Sequence, residues 1–214
     1  MQLYLIRHAQ SQNNAKPEEQ RVEDPGLTEL GDKQARLLAE WIPTLKLTRL
    51  FSSPFRRALL TAEPVRKATS LAPAVLVELH EKGGCYGGHT PQNFVGRPGM
   101  TRSEIEQAFP EFNVTTDFDG KGWWGSKPYE SWDAARERAA RLFERTRDEF
   151  AGTDERVGYV MHADFKLLFL EHIHAELLDV PYNTSVSLLR ITRTESRLED
   201  FNRAEHLSND LVTW

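Results

Sequence analysis

Residues 3–11 read Leu3-Tyr4-Leu5-Ile6-Arg7-His8-Ala9-Gln10-Ser11. Four apolar residues in a row, cut off by a charged pair, read as a short strand buried on both faces. Such a strand belongs inside a sheet covered by helices, and its carboxyl end delivers Arg7 and His8. The same junction recurs downstream. Leu50-Phe51-Ser52 ends a second strand and leads through Ser53-Pro54 into Arg56-Arg57, at the start of a helix reaching about Ala68, with Pro54 in its first turn. Val75 to Leu79 reads as a third strand, followed at once by His80-Glu81. Arg156 to Met161 is a fourth, ending in His162 ahead of a helix from Asp164 to Glu176.

The segments between these strands carry helical spacing. Leu30, Leu37, Leu38 and Trp41 mark a helix over Leu27 to Trp41, closed by Pro43. Trp132, Ala135, Ala139, Leu142, Phe143, Thr146 and Phe150 line one face of a long amphipathic helix. Ser185 to Ile191 and Arg197 to Phe201 read as late strands joined in a hairpin. The alternation predicts an α/β fold, a mostly parallel central sheet with helices on both faces. Lys82 to Pro128 breaks the rhythm, holding nine of the 13 glycines and four of the 11 prolines. Its Trp123-Trp124 pair is too costly to expose in a loose tether. The segment 82–128 is therefore expected to be a glycine-rich cap over the sheet edge, inserted within a single domain spanning 1–214.

Composition narrows the function classes. At 214 residues and 39% hydrophobic the chain can bury a core, which excludes a disordered or fibrous protein. Its 27 basic residues against 32 acidic ones leave a net charge of −5, which argues against nucleic acid or an anionic membrane as partner. The five arginines between Arg136 and Arg147 are interleaved with acids and read as a solvated helix face. A single cysteine, Cys85, excludes an internal disulfide and a cysteine-rich zinc site, and fits a reducing compartment. No run approaches the roughly 18 apolar residues of a membrane span. A cytoplasmic location is expected. The oligomeric state stays open, a homodimer being one candidate.

Ligands of open α/β sheets sit beyond the carboxyl ends of the strands. Here those ends supply His8, His162, Arg7, one of Arg56 and Arg57, and a carboxylate from Glu81 or its competitor Glu78. Guanidinium forks hold two phosphate oxygens at once and stay charged. A neutral imidazole attacks phosphorus and splits one displacement into two easier ones. A second imidazole stabilises the charge that spreads over the equatorial oxygens, and a protonated carboxyl serves the leaving oxygen. The set is matched to a phosphoryl group and calls for no metal or other cofactor. His172 and His174, two apart on a predicted helix, make a poor metal pair. His80, His89 and His206 read as ordinary loop histidines.

Arg7-His8-Ala9-Gln10-Ser11 resembles the R-H-G-x-[ST] signature of the histidine phosphatase superfamily, the phosphoglycerate mutase-like fold. Leu27-Thr28-Glu29-Leu30-Gly31 with Gln34-Ala35 is similar to that family's L-T-x-x-G-x-x-Q-A helix start. Ser52-Ser53-Pro54-Phe55-Arg56-Arg57-Ala58 with Thr61-Ala62 resembles S-S-P-x-x-R-A-x-x-T-A, and the resemblance assigns the family's arginine to Arg57. Leu79-His80-Glu81 resembles its L-x-E, and Val160-Met161-His162 takes the place of the second histidine. The resemblance runs from Met1 to about Leu170. It implies His8 as the phospho-accepting nucleophile, Arg7, Arg57 and His162 as the phosphate pocket, and Glu81 as the proton donor. It offers Ser11 and Asn14 as further phosphate contacts. Ala9 and Ala163 depart from the glycines usual there, without removing a reacting group.

The expected function is hydrolysis of a small phosphomonoester through a phosphohistidine. Two alternatives stand beside it: a phosphoglycerate mutase-type transfer that returns the phosphoryl group to the substrate, and a non-catalytic phospho-ligand binding module. The arginine-rich substrate motifs of the mutases are not found after Asn14, where the chain reads Ala15-Lys16-Pro17-Glu18-Glu19-Gln20.

Overall fold

The structure, a computed structural model, describes residues 1–115, 118 and 120–214. Strand β1 (Gln2–Arg7) lies in the interior of the sheet, parallel to β7 (Arg156–Met161), with Leu5 opposite Tyr159 and Arg7 opposite Met161. That register sets His8 and His162 one residue past the paired ends of adjacent strands. Strand β2 (Arg49–Ser52) pairs in parallel with the other edge of β7, followed by β3 (Ala74–Val75) and β6 (Asn113–Val114), also parallel. On the far side of β1, β8 (Val186–Ile191) and β9 (Ser196–Arg203) add antiparallel. The seven strands stand in the order β6-β3-β2-β7-β1-β8-β9.

Period-two alternation divides the interior strands between two cores. Tyr4, Ile6 and Val160 face a cluster with Leu38, Ala58 and Leu59. These come from α1 (Glu29–Trp41) and α2 (Arg56–Thr69). Leu3, Leu5, Val157 and Tyr159 face the opposite cluster, with Ala139, Leu142 and Phe169. Those belong to α4 (Trp132–Phe150) and α5 (Ala163–Leu170). Helices therefore cover both faces of a mostly parallel sheet, as the apolar run at Leu3–Ile6 requires.

Several boundaries differ from the sequence reading. The third strand pairs only over Ala74–Val75; Val77–Leu79 then winds into a 3-10 turn. Leu76 and Leu79, three apart, both reach the α4/α5 core, which a period of three satisfies and a strand does not. Pro54 lies ahead of α2, whose N-cap is Phe55. Helix α5 stops at Leu170, short of the expected Glu176; beyond it Ile173 and Leu178 still touch the core, while Leu177 is fully exposed. Trp132 begins α4 but is 49% exposed, its ring covered on one side by the Lys82 ammonium at 4.1 Å.

Within 82–128, the short antiparallel pair β4 (Tyr86–Gly87) and β5 (Val95–Gly96) and helix α3 (Arg102–Ala108) precede β6. The segment thus extends the central sheet through β6. Trp123 and Trp124 are buried, as expected of a packed segment. Residues 116, 117 and 119 of this stretch lie outside the described residues.

Candidate active site

His8 is buried at the end of β1, and its ring is oriented by its own chain. Nδ1 lies 2.7 Å from the Ala9 carbonyl, which only accepts, so Nδ1 carries the hydrogen. The lone pair is then on Nε2. Arg57, in the first turn of α2, donates its Nε–H to that atom at 3.2 Å. The Arg57 guanidinium lies over the Phe55 ring at 4.0 Å, which fixes its plane. Arg56 points outward and contributes only its backbone amide, bonded to Asp24 at 2.9 Å.

The His162 ring lies 5.0 Å from that of His8 and 5.1 Å from Phe55. Its Nε2 meets the Ser53 hydroxyl at 2.7 Å. Ser53 Oγ also accepts the Phe55 amide at 3.4 Å. His162 Nδ1 is buried with no partner, and so is Arg7 Nε. Arg7 is anchored at its other end, where Nη1 donates to the Pro181 carbonyl. Buried polar atoms without a partner are costly in protein alone, and an incoming anion satisfies the one that always carries hydrogen, Arg7 Nε.

Electrostatics point the same way. Burial, then the charge of Arg57, holds both His8 and His162 well below the usual imidazole value. Burial lowers Arg7 to about 10, with Arg57 repelling it, and lowers Arg57 too. The pocket is short of negative charge, and both imidazoles are neutral near pH 7.

Glu81 follows the 3-10 turn and reaches the start of α5. Its Oε1 accepts the amides of Lys82 at 2.9 Å and Phe165 at 3.0 Å, while Oε2 has only the Asp164 amide at 3.3 Å. Burial raises its pKa first and the Asp164 charge second, against the pull of Arg57 and the amides. The rival Glu78 is on the surface, paired with Arg145 at 2.6 Å.

Not every expected contact gathers here. Ser11 donates both amide and hydroxyl to Asn14 Oδ1, at 3.0 and 2.8 Å, so the two residues cap one turn. Neither lines the cleft above Arg57 and Glu81, whose wall includes Asn13, Arg21, Tyr86 and Phe94. Asn13 and Arg21 stand in loops and carry no periodic signal in the sequence. Burial pushes the Tyr86 phenol up to about 12, so it remains a hydrogen donor. Ser53 was legible in Ser52-Ser53-Pro54 but acquires its role only opposite His162. His80 is no ordinary loop histidine: it is buried against Trp124 at 5.0 Å and Trp123 at 5.5 Å, and its Nδ1 bonds the Glu81 carbonyl. His206 is also packed inward, stacked on Trp41 at 5.3 Å. Among the described residues no group of three or more His, Cys, Asp or Glu is disposed to hold a metal ion, and no helix is long and apolar enough to cross a membrane.

The family model for the histidine phosphatase superfamily (branch 1) matches residues 3–204. Phosphoserine phosphatase 1 of Hydrogenobacter thermophilus is 41% identical over 71 residues, 33% of this chain and 34% of that protein. A protein named "Probable phosphoglycerate mutase GpmB" from Photorhabdus laumondii is 39% identical over 67 residues, 31% of each chain. The matched stretches thus span about a third of the length of these relatives. Among solved structures, Bacillus stearothermophilus YhfR superposes with a TM-score of 0.67 at 23% identity, over 97% of this chain and 99% of that one. A mycobacterial glucosyl-3-phosphoglycerate phosphatase with inorganic phosphate gives 0.64 at 20% identity, over 97% and 99%. At such identities the likeness is one of fold.

Proposed function

The chain belongs to the histidine phosphatase superfamily, and from that premise we propose that it hydrolyses a small phosphomonoester through a phosphohistidine on His8. The observation that carries this reading is the fixed tautomer of His8. Its Nδ1–H is committed to Ala9, and its Nε2 lone pair faces Arg57, whose Nε–H it accepts.

An arriving phosphate displaces the Arg57 contact and takes the unused donor Arg7 Nε–H, joined by His162 Nδ1–H in the tautomer whose Nε2 accepts from Ser53. His8 Nε2 then attacks phosphorus while the bond to the alcohol oxygen breaks. The departing oxygen takes the proton of Glu81, placed on Oε2 because that atom is the less engaged. Negative charge gathers on the equatorial oxygens, where Arg57, Arg7 and His162 oppose it. In the second half Glu81, now ionised, takes a proton from water as the water oxygen bonds to phosphorus and the N–P bond breaks. Inorganic phosphate leaves and His8 returns neutral.

The test is turnover of p-nitrophenyl phosphate in EDTA, with alkaline quenching to preserve the acid-labile phosphohistidine. Wild type is expected to release phosphate and to trap label on the protein. His8→Ala is expected to trap none and to lose about 10³-fold or more in kcat. Undiminished turnover by His8→Ala removes His8 from the mechanism. Tight phosphate binding without labelled protein favours the binding-module reading, and isomerisation of 3-phosphoglycerate in place of phosphate release favours the mutase.

A further inference from the structure

Four hydrogen bonds close a circuit around the tripeptide that carries the nucleophile. The Gln10 amide donates to Gln34 Oε1 at 2.8 Å. Gln34 Nε2 donates to Thr213 Oγ1 at 2.9 Å, and the Thr213 hydroxyl donates to Asn183 Oδ1 at 3.0 Å. Asn183 Nδ2 donates to the His8 carbonyl at 3.1 Å. Gln34 and Asn183 are completely buried.

The polarity of this circuit is forced. Its two ends are backbone groups of fixed character, an N–H at Gln10 and a C=O at His8. Each side-chain amide is therefore oriented by the backbone it touches, and the Thr213 hydroxyl must receive from Gln34 and give to Asn183. The second hydrogen of Gln34 Nε2 goes to the Leu211 carbonyl at 2.8 Å. No member can be reversed without breaking a neighbour.

The circuit grips the two peptide planes on either side of Ala9. In a trans peptide the N–H and C=O point in opposite directions. Holding the Gln10 amide toward Gln34 thus aims the Ala9 carbonyl the other way, and that carbonyl receives His8 Nδ1–H. The preceding plane is held at both ends, by Asn183 on the His8 carbonyl and by Thr61, whose hydroxyl receives the Ala9 amide at 3.0 Å. The Thr184 amide adds a second donor to the His8 carbonyl at 3.3 Å. To supply it Thr184 adopts φ +58°, a left-handed conformation costing a β-branched residue about 1–3 kcal/mol. Strain kept at that point marks a backbone whose placement is over-determined.

We propose that Gln34, Thr213 and Asn183 are positioning residues that hold the Ala9 carbonyl against His8 Nδ1 and so keep the Nε2 lone pair available for attack. The purpose of the circuit rests on the phosphohistidine reading; its geometry does not. The experiment compares wild type with Thr213→Val, which removes the hydroxyl at similar size, Thr213→Ser, which keeps it, and Gln34→Leu. The tautomer of His8 is read from long-range ¹H–¹⁵N spectra, and kcat and KM from p-nitrophenyl phosphate.

Thr213→Val and Gln34→Leu are expected to give mixed tautomers at His8 and a kcat lower by about 10- to 100-fold. KM should stay within about twofold, because none of the three residues touches the anion pocket. Thr213→Ser should keep the single Nδ1–H tautomer and the turnover. A single Nδ1–H tautomer and full kcat in folded Thr213→Val overturns the proposal, as does equal loss in Thr213→Ser. Should Gln34→Leu fail to fold, the partly exposed Thr213 pair carries the test. A wild type that releases no phosphate, with a tautomer that still responds in Thr213→Val, leaves the circuit standing and removes the phosphatase reading.

Discussion

A carboxyl group that gives up a proton each cycle is held differently from one that only anchors a loop, and Glu81 is held unevenly. One oxygen takes two amides and the other a single long contact. The role proposed for it has a leaving-group signature. Glu81→Gln should lower kcat/KM for an alkyl phosphate by about 10²–10⁴-fold. It should matter far less for p-nitrophenyl phosphate, whose phenolate departs unaided; equal losses on both substrates remove Glu81 as the acid. The pH profile follows from directions already described. His8 is depressed well below 6.5, so activity survives acidification past that value. Glu81 is raised above 4.5, so activity fails on the alkaline side as it ionises. Glu81→Gln should erase the alkaline limb. Which of Glu78 and Glu81 faces inward was open in the sequence, because the 3-10 turn at Val77–Leu79 decides it and apolar spacing there suits a strand as well.

At the scale of elements, the entry to α1 meets the loop after His8. Thr28 caps the helix by accepting the Gly31 amide at 2.9 Å and donates to Gln10 Oε1 at 2.7 Å. A Cβ on Gly31 would stand 2.1 Å from the Gln10 carbonyl oxygen. Alanine favours an isolated helix by about 1 kcal/mol over glycine, yet Gly31→Ala is expected to destabilise this protein by about 1–3 kcal/mol as the backbone is forced apart. Urea unfolding checks the sign, and a gain in stability refutes the close-approach account. The helices α1 and α4 were legible because their apolar faces repeat every 3–4 residues over three turns or more, and α2 from the Pro54 signal just ahead of it. The end of α5 was not: Ile173 and Leu178 continue an apolar pattern and still pack against the core, but outside a helix, while Leu177 is fully exposed.

Over the whole molecule, the site makes stability depend on pH. His8, His80 and His162 are buried and depressed well below 6.5, and His206 is lowered to about 4 by burial. Lys166, also fully buried, has only Ser185 oxygens at 3.4 and 3.5 Å and is held well below 10.5. For every one of these groups the unfolded chain takes up protons that the fold refuses. For the imidazoles that contribution is present above the unfolded imidazole value and is lost as pH falls toward the folded values; for Lys166 the loss already begins below 10.5. Glu81 opposes this, since its folded value is raised, and so does Asp24, lifted to about 6 by burial. Four imidazoles against two carboxyls give the sign. The urea midpoint should fall between about pH 7 and about pH 5, and an unchanged or higher midpoint at the lower pH contradicts the buried, neutral state of the imidazoles.

The sequence by itself determined the fold class and the chemical character of the site. An apolar run that stops at Arg7-His8, or at Met161-His162, is a local pattern, and a parallel sheet brings such strand ends to one edge whatever the loops do. Only the tertiary structure decided that Ser11 and Asn14 satisfy one another, that Glu81 rather than Glu78 turns inward, and that Thr213 stands behind the nucleophile. Gln34 and Thr213 are 179 residues apart, and a buried hydroxyl leaves no periodic trace along the chain. Hydrophobic spacing is written over a few neighbours and survives in the sequence, whereas the partner of a polar atom is set by whichever distant segment the packed sheet brings within 3 Å.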